Sequence, residues 1–277
     1  MAWVARYPRE PNGEQSHMNL PRLPFSAEGD DESKRNYIIS ALWCAIIVIP
    51  FTNWVAPEMI PYDMAFIWNT HGTSWIDWLT VGIPIFAWGF GVTFVLKFLK
   101  PGYTRADRMQ RASASNIFVG GTLISAWAGI TEELAFRWLS FCGAFLGIFI
   151  ANWLFFDCLG FGIAEWFYLT IFGPIANFTT GGYLEPWLFH ESGWMAGAAL
   201  LASNQFFRDG HKYQGFFGWV NSWFLGMFFF YVMFNYGLLA AIVVHFAYDW
   251  IIFTTAACFR FLDSIVERIR RRSSNGY

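Results

Sequence analysis

The chain begins with a polar stretch and then alternates long hydrophobic runs with short polar connections. Residues 1–36 are rich in Pro and charged side chains and lack the apolar core of a signal peptide, so they predict a disordered tail. The hydrophobic runs that follow approach the length that an α-helix needs to cross a membrane. They predict about eight spans, at residues 37–55, 78–98, 115–136, 138–156, 161–175, 193–207, 216–234 and 238–255. The pattern therefore predicts an all-α, polytopic transmembrane helical bundle with a polar N-terminal tail.

The composition supports a membrane protein and excludes several other classes. Only 14% of the residues are charged, whereas 56% are hydrophobic and 21% are aromatic. A soluble domain carries about 25% charged residues. A net charge of −2 provides no basic surface for nucleic acid. The four cysteines lie within or beside apolar runs, so we expect buried thiols and not a disulfide framework.

The positions of the basic residues predict an orientation in the membrane. Of the 18 Lys and Arg residues, all but three lie in the N-terminal tail, in residues 97–111 or after residue 259. By the positive-inside rule, these regions lie in the cytoplasm, so both termini of a multi-pass cell-membrane protein are cytoplasmic. The three exceptions are Arg137, Arg208 and Lys212. Within an apolar stretch, each of them needs a partner, a surface position or a wet cavity.

A charged cluster, T-E-E-L-A-F-R, interrupts one of the hydrophobic runs. On a helix, Glu133 and Arg137 are four residues apart and share one face, with the acid before the base. The simplest division of labour is that Arg137 neutralises Glu133, while Glu132 points about 100° away into a cavity and acts as a general base. The alternative is a purely structural ion pair that locks two helices together.

Two histidines lie in other hydrophobic segments. His245 and Asp249 are four residues apart and project from one helical face, and His211 ends the sequence F-R-D-G-H. A single His on an apolar helix is more often a satisfied core residue. Two His, two Glu and one Asp on three apolar helices need partners, and the partners available to them are one another. The sequence therefore predicts that these helices meet.

The order of these motifs resembles that of a known family. The chain has E-E-x-x-x-R from Glu132, F-x-x-x-H from Phe207 and H-x-x-x-D from His245. This order is similar to that of the CAAX protease and bacteriocin-processing (CPBP) family of intramembrane endopeptidases, which includes the type II CAAX prenyl endopeptidase. The resemblance covers about residues 115–253. It implies hydrolysis of a peptide bond in a membrane-associated or prenylated protein.

The resemblance also implies roles for individual residues. Glu132 and His211 would activate the water that attacks the scissile carbonyl, and His245 and Asp249 would line the pocket for the oxyanion. The residues that would hold the architecture are Glu133, Arg137 and Phe207. Asp249 stands where many family members have Asn, and an ionised Asp repels an oxyanion. It must therefore be protonated, orient His245 or bind a metal.

The predicted organisation has four parts. They are the cytoplasmic tail 1–36, two spans with a basic loop at 37–113, a protease-like core at 114–256 with an apparent insertion near 147–186, and a basic cytoplasmic tail at 257–277. The expected partners are the lipid bilayer and a protein or peptide substrate, without nucleic acid.

We expect no cofactor, but a zinc-dependent mechanism stays open because two His with carboxylates are ordinary zinc ligands. No tight His spacing such as H-E-x-x-H favours zinc. Two functions of other classes also stay open. One is a non-catalytic immunity or scaffold protein of the same fold, and the other is a transporter with a carboxylate–histidine relay.

Overall fold

The computed structural model describes residues 39, 42–43, 46–55, 68–99, 113–157, 162–190 and 193–274. Over these residues the chain forms helices joined by turns, without a β-strand, so the all-α prediction is confirmed for them. The predicted tail at 1–36, most of the basic loop after residue 99 and part of the first predicted span lie outside the described residues.

Seven helices are numbered here in chain order after a short helical segment, Phe51–Val55. They are α1 (Trp75–Leu99), α2 (Ala114–Glu132, Glu133–Ser140, Phe141–Ala151 and Asn152–Asp157), α3 (Ile163–Phe167, Tyr168–Phe172 and Gly173–Thr179), α4 (Glu185–Leu188), α5 (Trp194–Gly210), α6 (Gly215–Tyr236) and α7 (Leu238–Ser274). The pieces of α2 follow one another without a break, and so do those of α3.

Within the described residues, four helices are long and apolar enough to cross a membrane. They are Trp75–Phe98, Ala114–Phe155, Lys212–Tyr236 and Leu238–Ser273. Large apolar side chains such as Ile83, Leu123 and Phe224 are exposed on them, which is the surface expected toward lipid. The membrane environment is therefore supported, whereas the predicted count of about eight spans is not confirmed.

The third and fourth predicted spans are one helix. The sequence predicts separate spans at 115–136 and 138–156, but α2 continues through Arg137. Residues 133–140 adopt a π-helix, whose wider turns accommodate the polar motif without ending the helix. Glu132 and Glu133 consequently lie near the middle of a 42-residue apolar helix. In the region of the predicted C-terminal tail, α7 stays helical as far as Ser274.

The described residues of the predicted insertion near 147–186 are mostly helical and pack on the core. They include the end of α2, all of α3 and the start of α4. The buried ring of Tyr168 in α3 donates a hydrogen bond from its hydroxyl to the Leu188 carbonyl, at 2.8 Å. A Cβ atom on Gly197 of α5 would overlap that hydroxyl, so the glycine allows α3 to lie directly against α5.

Glycines also allow α2 to approach α7 closely. A Cβ atom on Gly129 would lie 3.1 Å from the Ile242 carbonyl oxygen and 3.2 Å from the Phe246 nitrogen, both backbone atoms of α7. Contact at this depth places the Glu132–Arg137 segment of α2 beside His245. Gly237 is the single residue between α6 and α7, and its φ of +87° is one that glycine adopts readily. These glycines bring three elements together around one buried region.

Candidate active site

The π-helical part of α2 contains most of the first motif, and it is hydrogen-bonded to α5. A π-helix shifts the backbone hydrogen-bonding pattern and is often found at functional sites. The buried hydroxyl of Ser203 in α5 donates to the Phe136 carbonyl. Glu132, Glu133 and Arg137 are all buried. The bond from Ser203 therefore holds the motif segment against α5.

Glu133, Arg137 and His245 form a sealed group that we call the buried ion-pair cluster. Arg137 Nε lies 3.3 Å from Glu133 Oε2, and both side chains are 0% exposed. His245 Nδ1 lies 2.7 Å from Glu133 Oε1, so this nitrogen donates a hydrogen bond to the carboxylate. The structure thus places the Glu133–Arg137 pair as the spacing predicts, and adds a histidine from α7 to it.

Aromatic rings enclose the Arg137 guanidinium. Its central carbon lies 4.1 Å from the ring centre of Phe207, 5.3 Å from that of Phe229 and 5.6 Å from that of Phe230. Among the described residues, its nitrogens have no hydrogen-bond partner. The cation is therefore stabilised by the Glu133 carboxylate and by the faces of aromatic rings, which attract cations more strongly where water is excluded.

Two of these rings also contact the histidines. Phe229 stacks on the His245 ring at 4.5 Å between centres and an interplanar angle of 15°. Phe207 lies with its ring centre 4.6 Å from that of His211 and 6.3 Å from that of His245. Phe207, predicted from the resemblance as a structural residue, thus lies between the two histidines and Arg137. Phe229 has no signal in the sequence, because it is one Phe in a run of three.

Glu132 and His211 form the second group, the Glu132–His211 pair. His211 Nε2 lies 3.8 Å from Glu132 Oε2, and His245 Nε2 lies 3.9 Å from the same oxygen. These separations exceed a direct hydrogen bond, and a water molecule beside the groups can contact the carboxylate and an imidazole together. The helices α2 and α7 and the end of α5 therefore bring Glu132, His211 and His245 together, as the sequence predicts.

The protonation of His211 follows from its backbone contact. His211 Nδ1 lies 2.8 Å from the Phe207 carbonyl oxygen, so Nδ1 carries the proton and donates it. Burial lowers the pKa of His211 to about 4, although the bond to Phe207 opposes this shift. At neutral pH the ring is uncharged, and Nε2 offers a lone pair toward Glu132. The carboxylate and the imidazole therefore present two acceptors to the same small space.

Asp249 lies one helical turn after His245 and is half-buried. Its charge interacts with both His211 and His245. All four predicted catalytic residues are thus in one region of the molecule, and Asp249 acts on it through charge. Asp249 also adds to the negative charge of Glu132 and Glu133 around His245.

Ser203 and Asp209 are polar residues near this region to which the sequence reasoning assigned no role. Ser203 holds the π-helical segment, and Asp209 binds several groups around His211. A charged residue inside an apolar run is a signal that could have identified Asp209. Ser203 has no such signal, because a serine in a helix usually bonds to its own backbone.

Within the described residues, no group of three or more His, Cys, Asp or Glu side chains is arranged to hold a metal ion.

Comparison of the chain with protein-family models, with curated proteins and with solved structures gave no match. The features that indicate a function are therefore the arrangement of these side chains and the motif resemblance.

Proposed function

We propose that this protein is an intramembrane endopeptidase of the CPBP type, with several spans in the cell membrane and both termini in the cytoplasm. It would hydrolyse a peptide bond in a membrane-associated or prenylated protein. The observation that supports this proposal best is that Glu132 Oε2 lies 3.8 Å from His211 Nε2 and 3.9 Å from His245 Nε2. Peptide hydrolysis needs a base for water and a donor for the oxyanion, and these three groups can supply both.

The proposed reaction begins with one water that lies beside Glu132 and His211 and contacts both of them. The water donates hydrogen bonds to Glu132 Oε2 and His211 Nε2. Glu132 takes one proton as the water oxygen forms a bond to the scissile carbonyl carbon. The carbonyl electron pair moves to oxygen and gives a tetrahedral oxyanion. Glu132 then returns the proton to the amide nitrogen as the C–N bond breaks, which releases an amine and a carboxylic acid. The acid loses its remaining proton to solvent and becomes a carboxylate.

His245 supplies the donor for the oxyanion in this mechanism. Its Nδ1 already donates to Glu133, at 2.7 Å, so donation from Nε2 requires the doubly protonated ring. The Glu133 and Glu132 carboxylate oxygens lie 2.7 Å and 3.9 Å from its two nitrogens, and Asp249 is one helical turn away, so negative groups surround the ring. This role answers the difficulty with an ionised Asp249, because its charge supports the imidazolium and need not face the oxyanion.

The substitution Glu132→Gln tests the proposal, because it keeps the side-chain volume and removes the base. We expect purified protein in lipid nanodiscs to cleave an internally quenched, farnesylated CAAX peptide or a quenched leader peptide. The variant should lose about 100-fold or more in rate. Glu165→Gln changes an exposed carboxylate of α3 and is the matched control. Assays with and without 1,10-phenanthroline separate the metal-free mechanism from the zinc-dependent one.

A second assay does not depend on a chosen peptide. Cells expressing the wild-type chain or the Glu132→Gln variant are compared by mass spectrometry of new protein N-termini in the membrane fraction. New termini that need Glu132 would support the proposal and identify the substrate. The proposal would be contradicted if the wild-type chain and Glu132→Gln cleaved each peptide at the same rate and gave identical new termini in cells. That result would favour the non-catalytic scaffold.

A further inference from the structure

Asp209, next to the helix end that carries His211, binds three side chains. Its Oδ1 accepts from Arg208 Nε at 3.1 Å and from Trp219 Nε1 at 2.9 Å. Its Oδ2 accepts from Lys212 Nζ at 2.9 Å. Arg208 and Lys212 are two of the three cations for which the sequence predicts a need for a partner, and the Asp209 carboxylate binds both. We call Asp209, Arg208, Lys212 and Trp219 the Asp209 hub.

The hub spans the corner between two helices. α5 ends at Gly210, His211 follows, and one turn, Lys212–Gln214, leads directly into α6. Asp209 lies in the last turn of α5 and Trp219 lies in α6, so their hydrogen bond fixes the angle at which the chain turns. His211 lies between these two points. Any rotation of the corner would therefore move its imidazole relative to Glu132.

The hub is not explained by helix stability. A negative charge near the C-terminal end of a helix is unfavourable, because the helix dipole places partial negative charge there. Burial would raise the pKa of Asp209, but hydrogen bonds from Lys212, Trp219 and Arg208 lower it to about 2. The carboxylate therefore stays charged and keeps its three partners at neutral pH. The guanidinium of Arg208 also lies 4.2 Å from the Trp219 ring centre, which stiffens the same corner.

We propose that Asp209 is a positioning residue, which fixes the imidazole of His211 at the distance from Glu132 that water activation requires. The inference rests on the proposed function, since His211 acts on the water there. Asp209 touches neither Glu132 nor the reacting atoms and works through the backbone of the corner. Its loss should lower kcat more than it changes KM, because the chemical step depends on the Glu132–His211 geometry.

Asp209→Asn tests the proposal, with Asp263→Asn as its matched control. Asp263 also holds a lysine at 2.8 Å, but its partner Lys97 lies on α1, far along the chain from His211. Against the same quenched peptides in nanodiscs, Asp209→Asn should lower kcat about tenfold with KM within about twofold. Asp263→Asn should change neither constant. If Asp209→Asn does not fold, Trp219→Phe removes a single donor to the hub and should lower kcat in the same direction.

A second readout needs no substrate. Diethyl pyrocarbonate modifies uncharged histidine, and mass spectrometry gives the modification rate of His211 separately from the other four histidines. Release of the corner in Asp209→Asn should raise that rate severalfold, whereas Asp263→Asn should leave it unchanged. A rate equal to wild type in both hub variants would overturn the positioning role, even if no peptide is cleaved. A raised His211 rate without any cleavage would keep the positioning role and count against the proposed function.

Discussion

Glu132 and Glu133 are neighbours in the chain, yet their carboxylates lie in two different environments. Glu133 belongs to the buried ion-pair cluster, where it contacts Arg137 at 3.3 Å and His245 at 2.7 Å and is 0% exposed. Glu132 is 8% exposed, and its histidines lie at 3.8 and 3.9 Å. One carboxylate is thus held by short contacts to Arg137 and His245, and the two histidines beside the other lie beyond direct hydrogen-bond distance.

The difference indicates how a membrane helix can hold reactive groups. Charges inside a bilayer are costly, so a site needs a compensated group that fixes the helices. Arg137, enclosed by aromatic rings, compensates Glu133, and the hydrogen bond from His245 to Glu133 fixes α2 against α7. The Glu132–His211 pair can then keep the wider spacing that a water-activating site requires. The two environments predict different responses to substitution, in stability for one and in rate for the other.

The largest expected effect is on the buried ion-pair cluster. Arg137→Leu removes the cation and leaves Glu133 buried without its charge partner, which costs roughly 3–5 kcal/mol of unfolding free energy. Thermal unfolding and size-exclusion chromatography of detergent-purified protein measure this loss. The double variant Glu133→Gln/Arg137→Leu should recover part of it, because the buried Glu133 carboxylate is then removed together with the cation that compensates it. Arg268→Leu, at an exposed position on α7, is the control.

An unfolding temperature unchanged in Arg137→Leu would contradict this picture of the cluster. So would a double variant that is less stable than the single one, because the penalty would then not arise from the uncompensated Glu133 carboxylate.

A smaller effect is expected at the contact that brings His245 to Glu133. Gly129→Ala places a Cβ atom 3.1 Å from the Ile242 carbonyl and should displace α7 by a few tenths of an ångström. We expect Gly129→Ala to lower the free energy of unfolding by about 1–3 kcal/mol. Gly120→Ala in the same helix meets nothing within 4 Å and should be neutral or stabilising, by up to about 1 kcal/mol. Equal unfolding temperatures for the two variants would refute the close contact.

The sequence predicts the partners at this site better than it predicts the helices that carry them. The spacing of Glu133 and Arg137 predicts their pairing, because residues four apart on a helix are neighbours. The scarcity of charge predicts that Glu132, His211 and His245 meet, because buried polar groups need one another. Both predictions depend on local geometry or on composition, which a single sequence contains.

The continuity of α2 could not be predicted in the same way. Polar residues between two apolar runs usually mark a connection, and the sequence has no feature that distinguishes a widened helix from a turn at Arg137. The π-helical stretch of α2 contacts α5 through Ser203, which is 67 residues away in sequence from Phe136. The stacking of Phe229 on His245 and the hub at Asp209 likewise depend on long-range contacts, which periodicity does not reveal.

A third and smaller effect is expected at Ser203 of α5, because its hydroxyl bonds to the α2 segment that carries Glu132 and Glu133. Ser203→Ala should lower the unfolding free energy by about 0.5–1.5 kcal/mol, since the Phe136 carbonyl in the π-helical segment loses its donor. Ser222→Ala removes an equally buried hydroxyl that bonds to Gly218 of its own helix, and should cost less. Thermal unfolding of both variants makes the comparison. A greater loss for Ser222→Ala would argue against the Ser203 bond as a support of the motif.

The smallest expected effect concerns the pH response of the Glu132–His211 pair. Burial lowers the pKa of His211 to about 4, so the ring stays uncharged as the pH falls from 7.5 to 5.5. Its modification by diethyl pyrocarbonate should change less than twofold over this range. N-acetylhistidine, with an ordinary pKa of about 6.5, should slow about tenfold because it becomes protonated. A tenfold decline for His211 itself would mean that the ring charges near pH 6.5, and it would then present a proton to the water where the mechanism needs a lone pair.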